Sequence, residues 1–507
     1  MAIDILTSLD LPPVVYIIVL LVVILIVKSW LQTPRNLPPC PVQPLPIIGH
    51  ILHIQKRPRE TLKEWRKKAG DVFSLYTGSK LTVVLNGYDV IKDTLVKQAD
   101  LFSDRPDNLL NSIFEDGMKG IINASGHPWK EQRSVSLSIL RNFGMGKNSL
   151  ADKIQEEVSA YVDELGKVNG RPQEVRTLTN VAVSNVICSI IVGKRFEYND
   201  SYLIRLIHIL NEQVKLIKSV SFRTAFPWLR FFPGDLFDVK RVIQNMNDLM
   251  NHFCYPFIRL SQSKLNVGDD DDGSDSFITS YLKELKQKEA KGEPTTMDVS
   301  QLGRVIQNLF VAGSETTSTT MMWFMIYMLH YPNIQKKIFK EMNDVVGTDR
   351  LVSLQDKSQL NYLNAAIMET QRLASIVPLN LLHKCTAEVN VRGYTIPAGT
   401  LIMPNLDSVL HDEKTWGDPN NFRPERFLDN KGNLLHPEEF IPFSIGRRVC
   451  LGESLAKMEL FLFLATMVQR FDLQPAIPDS LPPLKYIFGV TCAPEAFDIR
   501  FVERRQK

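Results

Sequence analysis

The chain has 507 residues, 44% of them hydrophobic, with 59 Lys and Arg against 56 Asp and Glu for a formal net charge of +3. So even a balance, without a basic block, excludes an electrostatic nucleic-acid binder, and the length suits one large domain or two to three ordinary ones. The six cysteines (Cys40, Cys188, Cys254, Cys385, Cys450, Cys492) contain no CxxC pair, which excludes a zinc module and a disulfide framework and suits a reducing compartment.

Leu11 to Val27 is a run of 17 residues without a charge, at the short limit of the ~20 a membrane span needs. Asp4 and Asp10 precede it, Lys28 and Arg35 follow, and no small-residue cleavage site is seen. A retained N-terminal transmembrane anchor over residues 1–30 is therefore expected in preference to a cleaved signal peptide, with the rest of the chain cytosolic. Residues 31–50 hold "NLPPCPVQPLPIIGH", whose prolines make a stiff elbow or plain linker. Residues 51–507 read as one large mixed domain, mainly α with a small β portion (α+β).

"VFSLYTG" and "LTVVLNG" within Val72–Gly87 read as strands, and helical patterns dominate from about Trp129 to Gln371. "FRTAFPWLRFFPG", Phe222–Gly234, is aromatic and poor in charge, so it is either core or a membrane-surface contact. "GDDDDGSDS", Gly268–Ser276, and "KEAKGEPTTMD" are solvated joints. A long apolar helix is expected from about Asp298 to Tyr331, ended by Pro332. From Lys384 onward short strand pieces appear in "NVRGYTIPAGTLIM", and a last helix runs from about Leu451 to Arg470. No internal repeat is visible.

Four places carry chemistry. "AGSETT", Ala312–Thr317, puts an acid and hydroxyls in the middle of the long helix. Thr316 can bond back to the Ala312 carbonyl, Gly313 leaves space for a flat ligand or dioxygen, and Glu315 with Thr316 could relay protons; the plain alternative is a Thr-rich helix face with a satisfied glutamate. "ETQR" sets Glu369 and Arg372 on one helix face, and "FRPERF" adds Arg426; on the surface such a pair means little. "HPWKEQR" sets Trp129 and Arg133 one helical turn apart, an indole and a guanidinium suited to a carboxylate, or simply an amphipathic helix start. Last, "PFSIGRRVCLG" places Cys450 after Arg447 and Arg448 and between Gly446 and Gly452. Cations and free amides favour a thiolate, and glycines permit close approach by a flat group; the alternative is a small buried apolar cysteine.

In this order, and with the spacing Phe443-x-x-Gly446-x-Arg448-x-Cys450-x-Gly452, the motifs resemble the cytochrome P450 superfamily over essentially the whole chain. "RNFGMGKNSLADKIQEE" and "NVICSIIVGKRFEYND" resemble its animal microsomal drug- and steroid-metabolising (family 2-like) branch. The resemblance implies the cytochrome P450 fold and haem b as cofactor. Cys450 would be the axial thiolate on the iron, which favours O–O cleavage, with Phe443, Gly446 and Gly452 shaping its loop. Arg448, Trp129 and Arg133, and further Arg105 and His383, would hold the propionates. Ala312, Gly313, Glu315 and Thr316 would form the oxygen-activation segment, with Glu315 and Thr316 delivering protons. Phe114, Leu309, Ala312, Val377, Leu379 and Phe488 would line a mostly apolar substrate pocket. Glu369, Arg372 and Arg426 would be a structural network. Cys40 stands where relatives usually have glycine, and Lys384 where an arginine is common.

The activity so implied is monooxygenation of a lipophilic substrate (fatty acid, steroid or foreign compound) in the endoplasmic reticulum membrane. Electrons would come from NADPH through NADPH–cytochrome P450 reductase, with cytochrome b5 as a further partner. Lys130, Arg133, Arg141, Lys147 and Arg447 are candidate docking charges. The alternatives are a haem-thiolate isomerase acting on lipid peroxides, which has no need of Glu315 and Thr316, and a haem-binding sensor without turnover.

Overall fold

The computed structural model describes residues 36–54, 57–107, 119–145, 148–226, 234–235, 238–267 and 276–504, and six positions (12, 13, 16, 20, 23 and 24) of the N-terminal apolar run. The rest of that run, Phe114, Lys147 and residues 227–233 and 268–275 lie outside the described residues. Tyr16, Leu20, Val23 and Ile24 are exposed. Among the described residues no helix is long and apolar enough to cross a membrane.

The longer helices are α1 (Pro58–Ala69), α2 (Gly126–Asn142), α3 (Asn148–Gly166), α4 (Arg176–Ile191), α5 (Ser201–Ala225), α6 (Val239–Leu249), α7 (Tyr255–Val267), α8 (Phe277–Lys291), α9 (Val299–His330), α10 (Pro332–Val345), α11 (Asn361–Ala374) and α12 (Glu453–Arg470). The strands are β1 (Val72–Thr77), β2 (Lys80–Leu85), β3 (Gln173–Glu174), β4 (His383–Lys384), β5 (Val389–Val391), β6 (Tyr394–Ile396), β7 (Leu401–Pro404), β8 (Phe471–Pro475), β9 (Tyr486–Phe488), β10 (Cys492–Pro494) and β11 (Asp498–Glu503).

α9 starts where the Asp298 carboxylate accepts from the Gln301 N–H at 2.6 Å, an N-cap, and stops before Pro332. Its apolar residues surround it, and it is buried on most faces, packed along α4 and against α11 and α12. These helices share one core with α2, α3, β8 and β11. The sheet runs β1-β2-β7-β4, with β2 and β7 parallel and the other pairs antiparallel. Alternation along β1 and β2 feeds two cores. Phe73, Leu75 and Val84 pack with Leu62 and Trp65 of α1, while Val72, Val83 and Leu85 face Ile396 and Ile402.

The proline elbow is more than a spacer. Ser74 of β1 donates through N–H to the Pro39 carbonyl and through Oγ to that of Pro38, both at 2.9 Å. The elbow therefore docks as an extra edge of the sheet. In the segment Phe222–Gly234, α5 extends to Ala225 and Phe226 is buried, which puts that residue in the core.

Candidate functional site

The cysteine loop lies between the sheet and α12. Cys450 N–H donates to the Phe443 carbonyl at 3.0 Å and Val449 N–H to that of Gly446 at 3.1 Å. Ser444 (φ 63°) and Gly446 (φ 82°) both take left-handed backbone. A Cβ at Gly446 would meet the Leu95 carbonyl oxygen at 2.2 Å, so this glycine lets the loop press on protein backbone. A Cβ at Gly452 would meet nothing within 4 Å; that glycine has open space before it.

Cys450 is exposed to a small sphere, yet protein crowds around it. Burial pushes its thiol up, the Gly452 amide and the Arg133 charge pull it down, and Glu453 adds to the rise. The cation that acts on the sulfur is therefore Arg133. Arg447, adjacent in sequence, pairs with Asp100 at the surface (Nη2–Oδ2 2.9 Å). Arg133 itself is half-buried and donates to the Val449 carbonyl at 2.6 Å, which ties α2 to the loop. Of the candidate docking charges, Lys130 and Arg141 are exposed, and Arg133 is committed to the interior.

Beside the loop a group of cations meets; Asp104 lies near enough to act on Arg448 but forms no ion pair with it. Arg448 donates from Nε to the Ser103 carbonyl (2.7 Å), from Nη1 to that of Ile121 (3.1 Å) and from Nη2 to that of Ala124 (2.6 Å). Its guanidinium lies over the Trp129 ring, 3.7 Å from the centroid. Arg105 donates to the Leu381 and Leu382 carbonyls at 2.9 and 2.8 Å. Burial and the mutual repulsion of these arginines hold Arg448 down to about 9 and Arg105 to about 10. None of Arg105, Arg133 and Arg448 has an ion-pair partner among the described residues.

Three buried polar atoms in the same group have no hydrogen-bond partner among the described residues: Trp129 Nε1, Arg105 Nε and His383 Nε2. His383 Nδ1 lies 2.6 Å from the Phe102 carbonyl and so carries the proton. Burial, with Arg105 and Arg448 nearby, drives the ring to about 3. Its Nε2 can meet a carboxylate only as imidazolium, a form that an adjacent anion favours. Orphaned donors and uncompensated cations on this scale are what a site for one or two carboxylates looks like without its ligand. The propionates of a haem would fit it, and the Cys450 loop lies beside it. Among the described residues no three His, Cys, Asp or Glu converge to hold a bare ion.

Across from the loop, Thr316 Oγ1 donates to the Ala312 carbonyl at 2.7 Å. Ala312 is exposed although the helix is buried on most faces, so α9 opens there on interior space. Thr316, Val377 and Phe443 share a cleft of about 40 Å3. Glu315 points elsewhere. Its Oε1 accepts from Thr491 Oγ1 at 3.1 Å, and burial raises its pKa. No hydrogen bond joins it to Thr316. Gly313 faces α4, where a Cβ would meet Ile187 Cδ1 at 2.6 Å; its smallness serves helix–helix packing. Among the expected pocket residues Leu309 and Phe488 are half-buried, and Leu379 packs against the core beneath α1. Thr491, 176 residues from Glu315, has no signal in the sequence.

The network lies fully inside. Arg372 meets Glu369 through two bonds, 2.7 and 2.8 Å, with both side chains at 0% exposure, and Arg426 Nε reaches Glu369 Oε1 at 3.1 Å. Arg372 also donates to the Leu410 and Pro419 carbonyls, which pins α11 to the chain leading into the cysteine loop.

A family model described as Cytochrome P450 matches residues 38–501. Cytochrome P450 2C39 of Mus musculus is 36% identical, over 97% of this chain and 99% of its own length. Cytochrome P450 2U1 of Bos taurus is 38% identical, over 94% and 91%. Cytochrome P450 2C28 of Mesocricetus auratus is 36% identical, over 97% and 100%. Mostly helical, with small sheets around a single cysteine loop, the chain belongs to the cytochrome P450 family, as a haem-thiolate oxidoreductase of the monooxygenase type.

Proposed function

We propose that the protein inserts one oxygen atom from dioxygen into a lipophilic substrate (fatty acid, steroid or foreign compound), with electrons from NADPH passed on by a membrane-bound NADPH–cytochrome P450 reductase. One observation carries the reading: Trp129, Arg133, Arg105, His383 and Arg448 gather beside Cys450 with orphaned polar atoms and, among the described residues, no ion-pair partner for the three arginines. In this reading Cys450 would bind the haem iron through its sulfur and those five residues would hold the propionates. Phe443, Gly452 and Ala312 would lie against the cofactor, while Gly446 and Gly313 allow the close packing around its slot.

When bound, a thiolate-ligated haem activates dioxygen for insertion into a C–H or double bond. The chain supplies the rest. The cation of Arg133 favours the Cys450 thiolate. Arg448 is held flat by Trp129 and three carbonyls, so its charge is set before the ligand arrives. Thr316, on the cleft face of α9, holds a hydroxyl proton at Oγ1. Glu315, whose pKa burial raises, holds a second proton at its carboxyl. Val377, beside Thr316 in the cleft, favours an apolar substrate and excludes water, and Leu309 and Phe488 would extend that lining. The N-terminal run anchors the chain in the endoplasmic reticulum membrane, and Lys130 and Arg141 present charge to the reductase or to cytochrome b5.

The test uses purified protein, reductase, NADPH and labelled dioxygen on a mixture of lipids, steroids and foreign compounds. Products carrying one labelled oxygen are expected, and Thr316→Ala lowers product per NADPH. Loss of lipid peroxides without NADPH, and without label in any product, would replace this reading with an isomerase.

A further inference from the structure

Behind the oxygen-activation segment, between α4, α5 and α9, lies a small void lined by Asn180, Ser184, Asn211, Ser314 and Glu315 beside Ile207 and Phe310. Three of its polar atoms are buried and without a hydrogen-bond partner among the described residues: Asn180 Oδ1, Ser184 Oγ and Ser314 Oγ. Their residues are 5%, 1% and 6% exposed. Leaving a buried hydroxyl or amide oxygen unmade costs about 1–3 kcal/mol, so three around one void call for a ligand. The void is about 10 Å3, close to what a single water requires, and two to four polar partners are what such a water takes.

Glu315 closes the void on the α9 side. Its Oε1 is taken by Thr491 at 3.1 Å, with Thr319 at 3.5 Å, and its Oε2 has no hydrogen bond among the described residues. Asn211, Val311 and Glu315 are only half-buried, so the void has a wet side. Asn180 Nδ2 reaches Asn211 Oδ1 at 3.4 Å, a long contact that continues the polar lining in that direction.

We propose that Asn180, Ser184 and Ser314 bind an ordered water, and that this water passes protons to and from Glu315. This deepens the proposed role of Glu315 and rests on it for its use in turnover, though not for its existence. In the transfer an O–H bond of the water breaks as the carboxyl O–H forms. The water regains its proton from solvent on the Asn211 side, so no charge is left in the void. Ile207, Leu210 and Phe310 supply dry walls, so the water is held by the three polar atoms and faces Glu315.

The experiment has two readouts on the full haem-loaded chain, neither of which uses reductase, NADPH or product. A crystal structure that resolves waters should show one within hydrogen-bond distance of Asn180 Oδ1, Ser184 Oγ and Ser314 Oγ. Infrared spectroscopy, at a pH where Glu315 is protonated, should show its carboxyl band (assigned by its loss in Glu315→Gln) exchanging with deuterium within mixing. Ser184→Val fills the void; the water should vanish and exchange should slow roughly tenfold or more, because it then waits on local opening of the helices. Should Ser184→Val not fold, Asn180→Leu removes an anchor at similar length and carries the same expectation. An empty void in the unaltered protein, or loss of the water with exchange unchanged, overturns the proposal. Failure of Glu315→Gln to alter product per NADPH would count instead against the role of Glu315 in turnover.

Discussion

The Arg448 guanidinium rests on the Trp129 ring at 3.7 Å while the indole Nε1 of that same ring bonds to nothing among the described residues. One side chain thus does two separable things. Its face supports a buried cation, and its edge offers a donor to a ligand.

Trp129→Phe separates them. The ring under Arg448 remains and the donor goes. A hydrogen bond to a charged acceptor is worth ~1.5–3 kcal/mol, so haem should leave roughly 10- to 100-fold faster, as measured by transfer to a scavenging apoprotein. The haem-free protein should melt somewhat lower, because the smaller ring leaves a gap where Trp129 is buried, so the haem off-rate is the readout that reports the donor. An unchanged haem off-rate would remove Trp129 from the propionate site.

Gly313 was expected to leave space for a ligand, but its Cα faces Ile187. Gly313→Ala should therefore destabilise by overpacking, about 1–3 kcal/mol before a gain of up to ~1 kcal/mol in helix propensity. Adding Ile187→Val deletes Cδ1, the atom 2.6 Å from the new methyl. Thermal melts of the two singles and the double should show rescue. If Gly313→Ala is harmless to stability and instead blocks ligand binding, the packing explanation fails.

Glu459 of α12 is buried at 1% exposure and accepts from Thr317 Oγ1 at 3.0 Å, while its Oε1 has no partner among the described residues. Burial pushes its pKa up to about 8. The folded state thus keeps a proton that the unfolded chain releases above its ordinary carboxyl range. Stability that is present in mild acid is lost as pH rises toward 8, at up to about 1.4 kcal/mol per pH unit from this group. Glu459→Gln stays neutral and still accepts from Thr317. It should flatten the decline in melting temperature between pH 5 and pH 8 expected from this principle; equal slopes for variant and parent would show that folded Glu459 does not keep its proton across that window.

What the sequence determined by itself was local. The long helix follows from a run of apolar residues between the Asp298 cap and Pro332, and β1 and β2 follow from short runs rich in β-branched and aromatic residues. The cysteine loop is legible because its glycines and spacing are backbone demands made over eleven residues. Where each charge ends up is not local, and only the tertiary structure decided it. "ETQR" reads alike on a surface and in a core, yet Glu369 and Arg372 are fully buried because α11 packs beneath the chain around Leu410 and Pro419. Arg447 stands nearer Cys450 in sequence than Arg133 does, yet Asp100 holds it at the surface while α2 brings Arg133 to the sulfur. Arg105, Trp129, His383 and Arg448 come from four separate segments, and Thr491 reaches Glu315 across 176 residues. A charge acquires its partner, its dielectric surroundings and its pKa from whatever packs against it, and that neighbour is chosen by the whole fold.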